Sequence, residues 1–277
     1  MIRLLRFFNT LNFDTAFGAV SFVLVISHFQ QVEINISIYC ALFISVLSIY
    51  NIDHIIDALK LKDTSKSYRH AYYQRHLKLL VAWQVLLLLV GLIILFSIPY
   101  LILWAGFALL AIISIYFLVI FSYTKINLML REVIVAIGYT LAVGLVPFLN
   151  GIVQLNFGFL WMLLMVFLIA LTNLWTFALY DIDLDNSQSH HSIARSLNLG
   201  SLIKMVKGVI VLAFVVILLF AVYFEQWMLG STLLLVEIVY VVLLKKQLVF
   251  RKNDYYRIIG EAILIVPGFI SIIYNAI

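Results

Sequence analysis

The sequence predicts an all-α integral membrane protein with nine transmembrane helices, and three observations lead to this fold class. The 277 residues are 65% hydrophobic and 11% charged, with a mean hydropathy of +1.13. A soluble domain has about 25% charged residues, so most of this chain's surface must face lipid. Long apolar runs without strict alternation indicate helices rather than a β-barrel. Finally, all 18 lysines and arginines lie before the first run, in alternate connections between the runs, or at the start of the run that follows such a connection.

Nine apolar segments are long enough to cross a bilayer core, which takes about 17–25 helical residues. We expect these spans at 12–29, 34–50, 77–98, 100–121, 132–150, 157–179, 203–223, 227–244 and 258–275. Pro99 separates the third span from the fourth, which would otherwise join it in one very long helix. Together the spans form a single polytopic domain over residues 1–277.

The basic residues predict the orientation of these spans. Arg3 and Arg6 precede the first span, and the remaining basic residues follow the second, fourth, sixth and eighth spans. The positive-inside rule then places the N-terminus in the cytoplasm and the C-terminus outside, in what we expect to be a bacterial cytoplasmic membrane. The same rule accounts for the net charge of +5, so we expect no nucleic-acid partner.

Two clusters of aspartates lie where spans end on the predicted cytoplasmic side. Asp53 and Asp57 follow the second span, and Asp181, Asp183 and Asp185 follow the sixth. A spacing of four places two carboxylates one turn apart on one helix face, where they repel each other unless a cation lies between them. Hard oxygen ligands suit Mg²⁺ or Ca²⁺, and Mg²⁺ takes further ligands from water and phosphate. The alternative is that helix ends at a membrane surface are simply polar.

The two clusters also suggest an internal duplication. Asp53 and Asp181 are 128 residues apart, as are Asp57 and Asp185, and a shift of 130 residues instead aligns Tyr50-Asn51-Ile52-Asp53 with Tyr180-Asp181-Ile182-Asp183. We therefore expect repeat-like halves at about 1–122 and 123–245, followed by a final helix at 258–275. Membrane repeats of this kind place a site at their interface.

At these residues the chain resembles the UbiA family of intramembrane prenyltransferases, which have nine helices and two cytoplasmic aspartate motifs. Asp181 and Asp185 are similar to the family's second motif, DxxxD, and the segment 121–125 is similar to its Tyr-Pro-x-x-Lys. The first motif departs from the family pattern, because Ile49-Tyr50 stands in place of Asn-Asp. Arg69-His70 likewise stands in place of the family's Arg-Pro.

The resemblance implies transfer of an isoprenyl group from an isoprenyl diphosphate to a small lipophilic acceptor, expected to be aromatic, within the bilayer. Mg²⁺ would assist the ionisation. The implied metal-binding and catalytic residues are Asp53, Asp57, Asp181 and Asp185, with Lys125 as a further catalytic residue. The expected diphosphate ligands are Asn51, Arg69 and Lys125. The alternatives are a terpene cyclase-like or catalytically silent relative on the same fold, or a membrane transporter.

The position of the acidic residues favours an enzyme over a transporter. Transporters carry ionisable groups at mid-membrane, whereas most acids here cluster at one surface. Glu237 is an exception in mid-span, and is either functional or hydrogen-bonded to a neighbouring helix. For the enzyme we expect both aspartate pairs to face one cavity, with carboxyl groups roughly 6–12 Å apart across two metal ions and a diphosphate.

The charge pattern makes a topology prediction. Reporter fusions at Phe29, Asn150 and Ile277 should report an external location, and fusions at Ser65 and Asp254 a cytoplasmic one, because basic connections stay inside. Paired phosphatase and fluorescent-protein fusions in a bacterial host measure both signs at each position. One reversed sign among the five would contradict the predicted topology.

Overall fold

The computed structural model describes residues 2–60, 68–122, 128–150, 156–188 and 199–275, and side chains within 4–59, 68–115, 131–150, 156–181 and 199–274. In this part of the chain all regular secondary structure is helical, as the sequence predicts. The helices are α1 (Ile2–Thr10), α2 (Phe13–Phe29), α3 (Ile36–Lys60), α4 (Tyr68–Arg75), α5 (Leu77–Leu95), α6 (Tyr100–Ser122), α7 (Leu128–Asn150), α8 (Phe157–Gln188), α9 (Leu199–Tyr223), α10 (Trp227–Lys245), α11 (Gln247–Phe250), α12 (Tyr255–Ala262) and α13 (Val266–Asn275).

Seven of the described segments are long and apolar enough to span a membrane. They lie in α3, α5, α7, α8, α9 and α10 and in the segment Lys252–Tyr274, which contains α12 and α13. The bent pair of α1 and α2, with an angle of 74°, is an eighth candidate. The side chains of α6 are described as far as Ile115, and the apolar stretch Tyr100–Ile115 is shorter than a full span. The chain is therefore a multi-pass membrane protein, and the count of nine spans stays a prediction.

Two helices continue well beyond their predicted spans. We expected spans at 34–50 and 157–179, but α3 continues to Lys60 and α8 to Gln188. Nothing in these extensions breaks a helix, since neither contains proline or glycine. The aspartates of both clusters consequently lie on continuous helices. Asp57 follows Asp53 by one turn, and Asp185 follows Asp181 by one turn, as the spacing predicted.

Contacts between connections define the two ends of the bundle. Arg6, Arg69, Asp254 and Arg257 meet at one end, which we call the basic end. At the opposite end, the Asn150 side-chain amide donates to the Glu33 carbonyl at 2.5 Å, linking the connections that follow α2 and α7. These contacts agree with the predicted alternation of basic and non-basic connections.

Helix α2 lies at the centre of the bundle and packs against α3, α7 and α13. Its buried residues include Ala16, Ala19 and Ser21, all at most 3% exposed. In a membrane, small side chains let helix backbones approach closely and so gain van der Waals contact. The closest approach is to Gly268 of α13, whose backbone N–H donates to Ser21 Oγ at 2.7 Å.

The last predicted span, 258–275, is broken into three pieces. A 3₁₀ turn at Ile263–Ile265 separates α12 from α13. Pro267 gives the physical reason: it has no backbone N–H to bond the carbonyl four residues earlier, at Ile263, so the α-helical pattern lapses there. The break lets α12 carry its polar residues into the basic end while α13 packs on α2.

The contact between α2 and α13 makes a stability prediction. A Cβ atom at Gly268 would lie 2.6 Å from Ser21 Cα, a backbone atom that cannot move aside alone. Gly268→Ala should therefore lower the free energy of unfolding by about 1–3 kcal/mol. The matched control is Gly208→Ala in α9, where a Cβ atom meets nothing within 4 Å. It should stabilise the helix by up to about 1 kcal/mol. Thermal unfolding in detergent measures both, and an unchanged midpoint for Gly268→Ala would contradict the close packing.

Candidate active site

The residues of interest lie where α3 and α8, the two aspartate-bearing helices, reach the basic end beside α1, α4 and α12. Three of the five basic connections meet there through side-chain contacts, which join α1 to the turn before α12, α4 to α3, and α12 to α8. This end therefore brings together groups that are distant in sequence.

Asp181 on α8 is held by two neighbours from α12. Its Oδ2 lies 2.5 Å from Arg257 Nη2, and its Oδ1 accepts a short hydrogen bond from the Tyr256 hydroxyl. Arg257 Nε also donates to that hydroxyl at 3.0 Å. Tyr256 in turn stacks on Tyr180, with ring centroids 4.2 Å apart. The carboxylate is thus neutralised and oriented by the chain itself.

The first cluster is divided between surface and interior. The Asp53 side chain is exposed, whereas Asp57 is half-buried and lies beside His54 and His70. One turn of α3 therefore presents an oxygen ligand together with imidazole nitrogens. The predicted distance between the carboxyl groups of the two clusters stays a prediction.

Asn51 lies inside the helix packing and is 1% exposed. Its amide nitrogen donates to Gln84 Oε1 at 2.8 Å and to the Leu80 carbonyl at 3.5 Å, and its Oδ1 accepts from the Tyr73 hydroxyl at 3.0 Å. Burial raises the pKa of Tyr73 to about 12, so this phenol remains a donor. With its donors and acceptor engaged, Asn51 ties α3 to α4 and α5, and this geometry argues against the diphosphate contact that we expected.

Arg69 on α4 is buried at 7% exposure and is surrounded by polar groups. Its Nη2 donates to the carbonyl and Oδ1 of Asn9, at 3.1 and 3.0 Å, and lies 3.6 Å from Glu261 Oε2. Its Nη1 lies 3.2 Å from His54 Nε2. The Asn9 amide also donates to Glu261 and to Asp14, which joins α1, α2, α3, α4 and α12 in one polar network. Because a buried charge needs such partners, Arg69 fixes the relative positions of these helices.

A cleft at the basic end is lined by three arginines and one acid. The guanidinium of Arg6 lies 3.7 Å from the Tyr68 ring centroid and pairs with Asp254 at 3.2 Å. Arg69 and Arg257 complete the basic lining, and Asn9 and Thr10 add polar groups. Arginine donors in a fork suit phosphate oxygens, and each of the three arginines of this cleft is paired with an acidic side chain of the chain itself.

Three predicted site residues have no described side-chain geometry. Lys125 lies outside the described residues, and the side chains of Asp183 and Asp185 fall outside them as well. The backbone of α8 nevertheless places Asp185 one turn beyond Asp181. Carboxylate oxygens are the ligands that Mg²⁺ prefers, so this second motif has the right donors for Mg²⁺. The first cluster, with its imidazoles, is a different donor set.

The described part of the bundle interior holds a small apolar gap, too narrow for a water molecule, which is lined by residues such as Phe22, Met162 and Leu233. One turn beyond Leu233 on α10 lies Glu237, which is fully buried. Its carboxylate faces the Thr172 hydroxyl of α8, and no hydrogen bond of normal geometry joins them. Glu237 is therefore a polar group inside the bundle, close to this apolar gap.

Several residues of the site did not emerge from the sequence. Glu261 and Arg257 are four apart at the start of the last apolar span, and ionisable groups at such positions are candidates for function. The sequence therefore contained a signal for Glu261 and Arg257. In contrast, no feature of the neighbouring sequence marks Asn9 or Arg6 as a partner of α4 or of the last span. His54 stands between the aspartates of the first cluster, but its chemistry depends on the distant His70.

The overall fold matches that of a known membrane enzyme. A solved structure of a digeranylgeranylglyceryl phosphate synthase in membranes is similar to this chain, with a TM-score of 0.50 and 16% identity, over 99% of this chain and 95% of that one. No protein-family model and no curated protein matches the sequence. The structural likeness confirms the fold that the resemblance to UbiA prenyltransferases implied, namely a multi-pass helical bundle of that type.

The network around Arg69 makes a prediction. Arg69→Gln removes one charge from a buried group of paired residues, so it should lower the free energy of unfolding by about 3–5 kcal/mol. Arg75→Gln, on the same helix but exposed, should change it by less than about 0.5 kcal/mol. Thermal midpoints of both variants in the same detergent test this difference. Equal midpoints would show that Arg69 does not organise the basic end.

Proposed function

We propose that this protein transfers an isoprenyl group from an isoprenyl diphosphate to a lipophilic acceptor within the membrane. The observation that carries the proposal is the cleft at the basic end, where Arg69 and Arg257 line one surface and each contacts an aspartate-bearing helix. The similarity of fold to a digeranylgeranylglyceryl phosphate synthase supports it.

The polar residues of the cleft would bind the diphosphate and stabilise its departure. Arg6, Arg69 and Arg257 offer forked donors to its oxygens, and Lys125 adds a further cation if the family pattern applies. Asp181 and Asp185 would hold Mg²⁺, which when bound neutralises the charge that develops on the leaving group. To do so Asp181 would keep one oxygen on Arg257, because a carboxylate accepts up to about four hydrogen bonds or ligands.

The isoprenyl chain would occupy the apolar interior below the cleft. Ligand pockets are about 300–1,000 Å³, whereas the apolar gap beside Phe22 and Leu233 is too narrow for a water molecule, so the helices would have to move apart as the chain enters. As the carbon–oxygen bond to diphosphate breaks, an allylic cation forms. The acceptor, which we propose is aromatic, attacks this cation and then releases a proton. Surrounding aromatic rings stabilise the cation by cation–π attraction.

The membrane arrangement belongs to the same proposal. We propose nine spans, with α2 and α6 completing the seven helical segments that meet the length and hydropathy of a span. The N-terminus would lie in the cytoplasm of a bacterial cell and the C-terminus outside. The repeat-like halves at 1–122 and 123–245 would place the two aspartate motifs on opposite sides of the cleft.

A catalytically silent relative on the same fold is the second candidate. The pairing of Asp181 with Arg257 and Tyr256 favours it. A carboxylate that the chain already neutralises has less need of a metal ion. The two candidates differ in whether Arg257 releases Asp181 when a diphosphate arrives.

The proposed function predicts Mg²⁺-dependent release of diphosphate from geranyl, farnesyl or longer diphosphates by the purified protein. Asp181→Ala and Asp185→Ala should each lower the rate by about 10²-fold or more, because each 1.36 kcal/mol of lost stabilisation costs tenfold. The matched control is Asp183→Ala on the same helix, whose side chain points away from that face and should cost less. Lys125→Ala should weaken diphosphate binding and leave the metal dependence intact.

Assays with and without candidate aromatic acceptors separate ionisation from transfer. A mild effect of Asp57→Ala beside a severe effect of Asp185→Ala would show that the first motif has a different role. If the protein neither turns over nor binds any of these donors, the proposed function is contradicted, and the silent relative and the membrane transporter remain as alternatives.

A further inference from the structure

We propose that His54, Asp57 and His70 form a binding site for a divalent transition-metal ion, separate from the Mg²⁺ site of the second motif. One nitrogen of each histidine and one carboxylate oxygen of Asp57 all lie within 4.8 Å of one another. Ligands about 2.0–2.2 Å from one metal are at most about 4.4 Å apart, so a small movement of these side chains brings all three atoms onto one ion. The inference concerns metal binding alone and does not depend on the proposed function.

The local structure explains why these three side chains meet. His54 and Asp57 are three residues apart on α3, so they share one face of the helix. His70 comes from α4, which is held against α3 by Arg69 and by the Tyr73 hydroxyl on Asn51. The imidazole rings of His54 and His70 have centroids 6.0 Å apart. The ligands are therefore positioned by two packed helices.

The hydrogen bonding of His54 leaves one nitrogen for a metal. Its Nδ1 atom is buried and has no hydrogen-bond partner, although the residue is only 7% exposed. Its Nε2 lies 3.3 Å from Asn12 Oδ1. In metal sites the second nitrogen of a histidine usually donates to such an oxygen, which fixes the tautomer. Arg69 Nη1 also lies 3.2 Å from Nε2, and because a guanidinium only donates, Nε2 accepts from Arg69 and Nδ1 carries the proton when no metal is bound. A metal at Nδ1 would displace that proton and the Arg69 contact, and Nε2–H would then donate to Asn12 Oδ1.

The nearby charges permit a cation. Arg69 lies 3.2 Å from His54 Nε2 and by itself would repel one. However, Glu261 lies 3.6 Å from Arg69, and Asn9 bridges Glu261 to Asp14. Glu261 balances the charge of Arg69, while Arg257 also acts on His54 as a second guanidinium. The negative charge nearest the site is that of Asp57. Binding of a cation here therefore depends on the Asp57 carboxylate, which is itself one of the three ligands.

The donor set selects the kind of ion. Imidazole nitrogen suits Zn²⁺, Co²⁺ and similar ions, whereas Mg²⁺ prefers oxygen ligands in an octahedral arrangement. Two histidines and one carboxylate also leave coordination positions for water or an anionic oxygen. His70, together with His54, thus creates a site in which nitrogen ligands predominate over oxygen.

Titration of the full-length, chelator-treated protein with Co²⁺ tests the inference, because Co²⁺ bound by nitrogen ligands absorbs visible light. We expect one equivalent to bind, Zn²⁺ to displace it, and Mg²⁺ at the same concentration to leave it in place. His70→Gln should weaken binding by at least about 100-fold, since loss of a residue that only orients a ligand costs about 10–100-fold. The matched control His76→Gln, an exposed histidine at the end of α4, should bind Co²⁺ as the unmodified protein does.

Asp57→Asn gives a second test if His70→Gln does not fold, and the thermal midpoint of each variant checks its folding. Absence of Co²⁺ binding to the unmodified protein would overturn the inference. Binding that survives both substitutions, or displacement by equimolar Mg²⁺, would overturn it as well. None of these results depends on diphosphate release, so a failure here is distinguishable from a failure of the proposed function.

Discussion

The buried guanidinium of Arg69 is the constraint on which the basic end depends. An arginine at 7% exposure in a largely apolar bundle must find acceptors, and it finds them on α1, α3 and α12. Because the cost of an unpaired buried charge is several kcal/mol, these helices cannot shift independently. The positions of the first aspartate cluster and of the cleft follow from that one residue.

The second aspartate cluster is also held by an ion pair to the last span. Arg257 on α12 neutralises Asp181 on α8. In the same way, Glu261 on α12 neutralises Arg69 on α4. Helix α12 carries both partners, four residues apart on one face. Helix α12 therefore links α8 to α4 at the site. The 3₁₀ turn after α12 separates it from α13, so α12 can contact these helices while α13 packs on α2.

The sequence predicted the membrane-spanning segments well because apolar length is a local property. Boundaries at Phe29, Asn150 and Tyr223 coincide with the observed helix ends. The predicted spans end before the extensions of α3 and α8 because the residues of these extensions are polar. The prediction from the aspartate spacing nevertheless requires that each helix continues there. Asn51 shows the limit of motif reasoning, since its neighbours Tyr73 and Gln84 come from other helices. Such partners depend on tertiary packing, which a single sequence does not reveal.

The contacts between the first and last elements of the chain have a consequence for biosynthesis. Asn9 and Glu261 are separated by 252 positions in sequence, and Arg6 and Asp254 by 248. At roughly 5–20 residues per second, the ribosome makes Glu261 on the order of 10–50 s after Asn9. During that interval Arg69 lacks its carboxylate partner on the last span. The nascent bundle must therefore keep this end hydrated or bound to an insertion factor until translation is nearly finished.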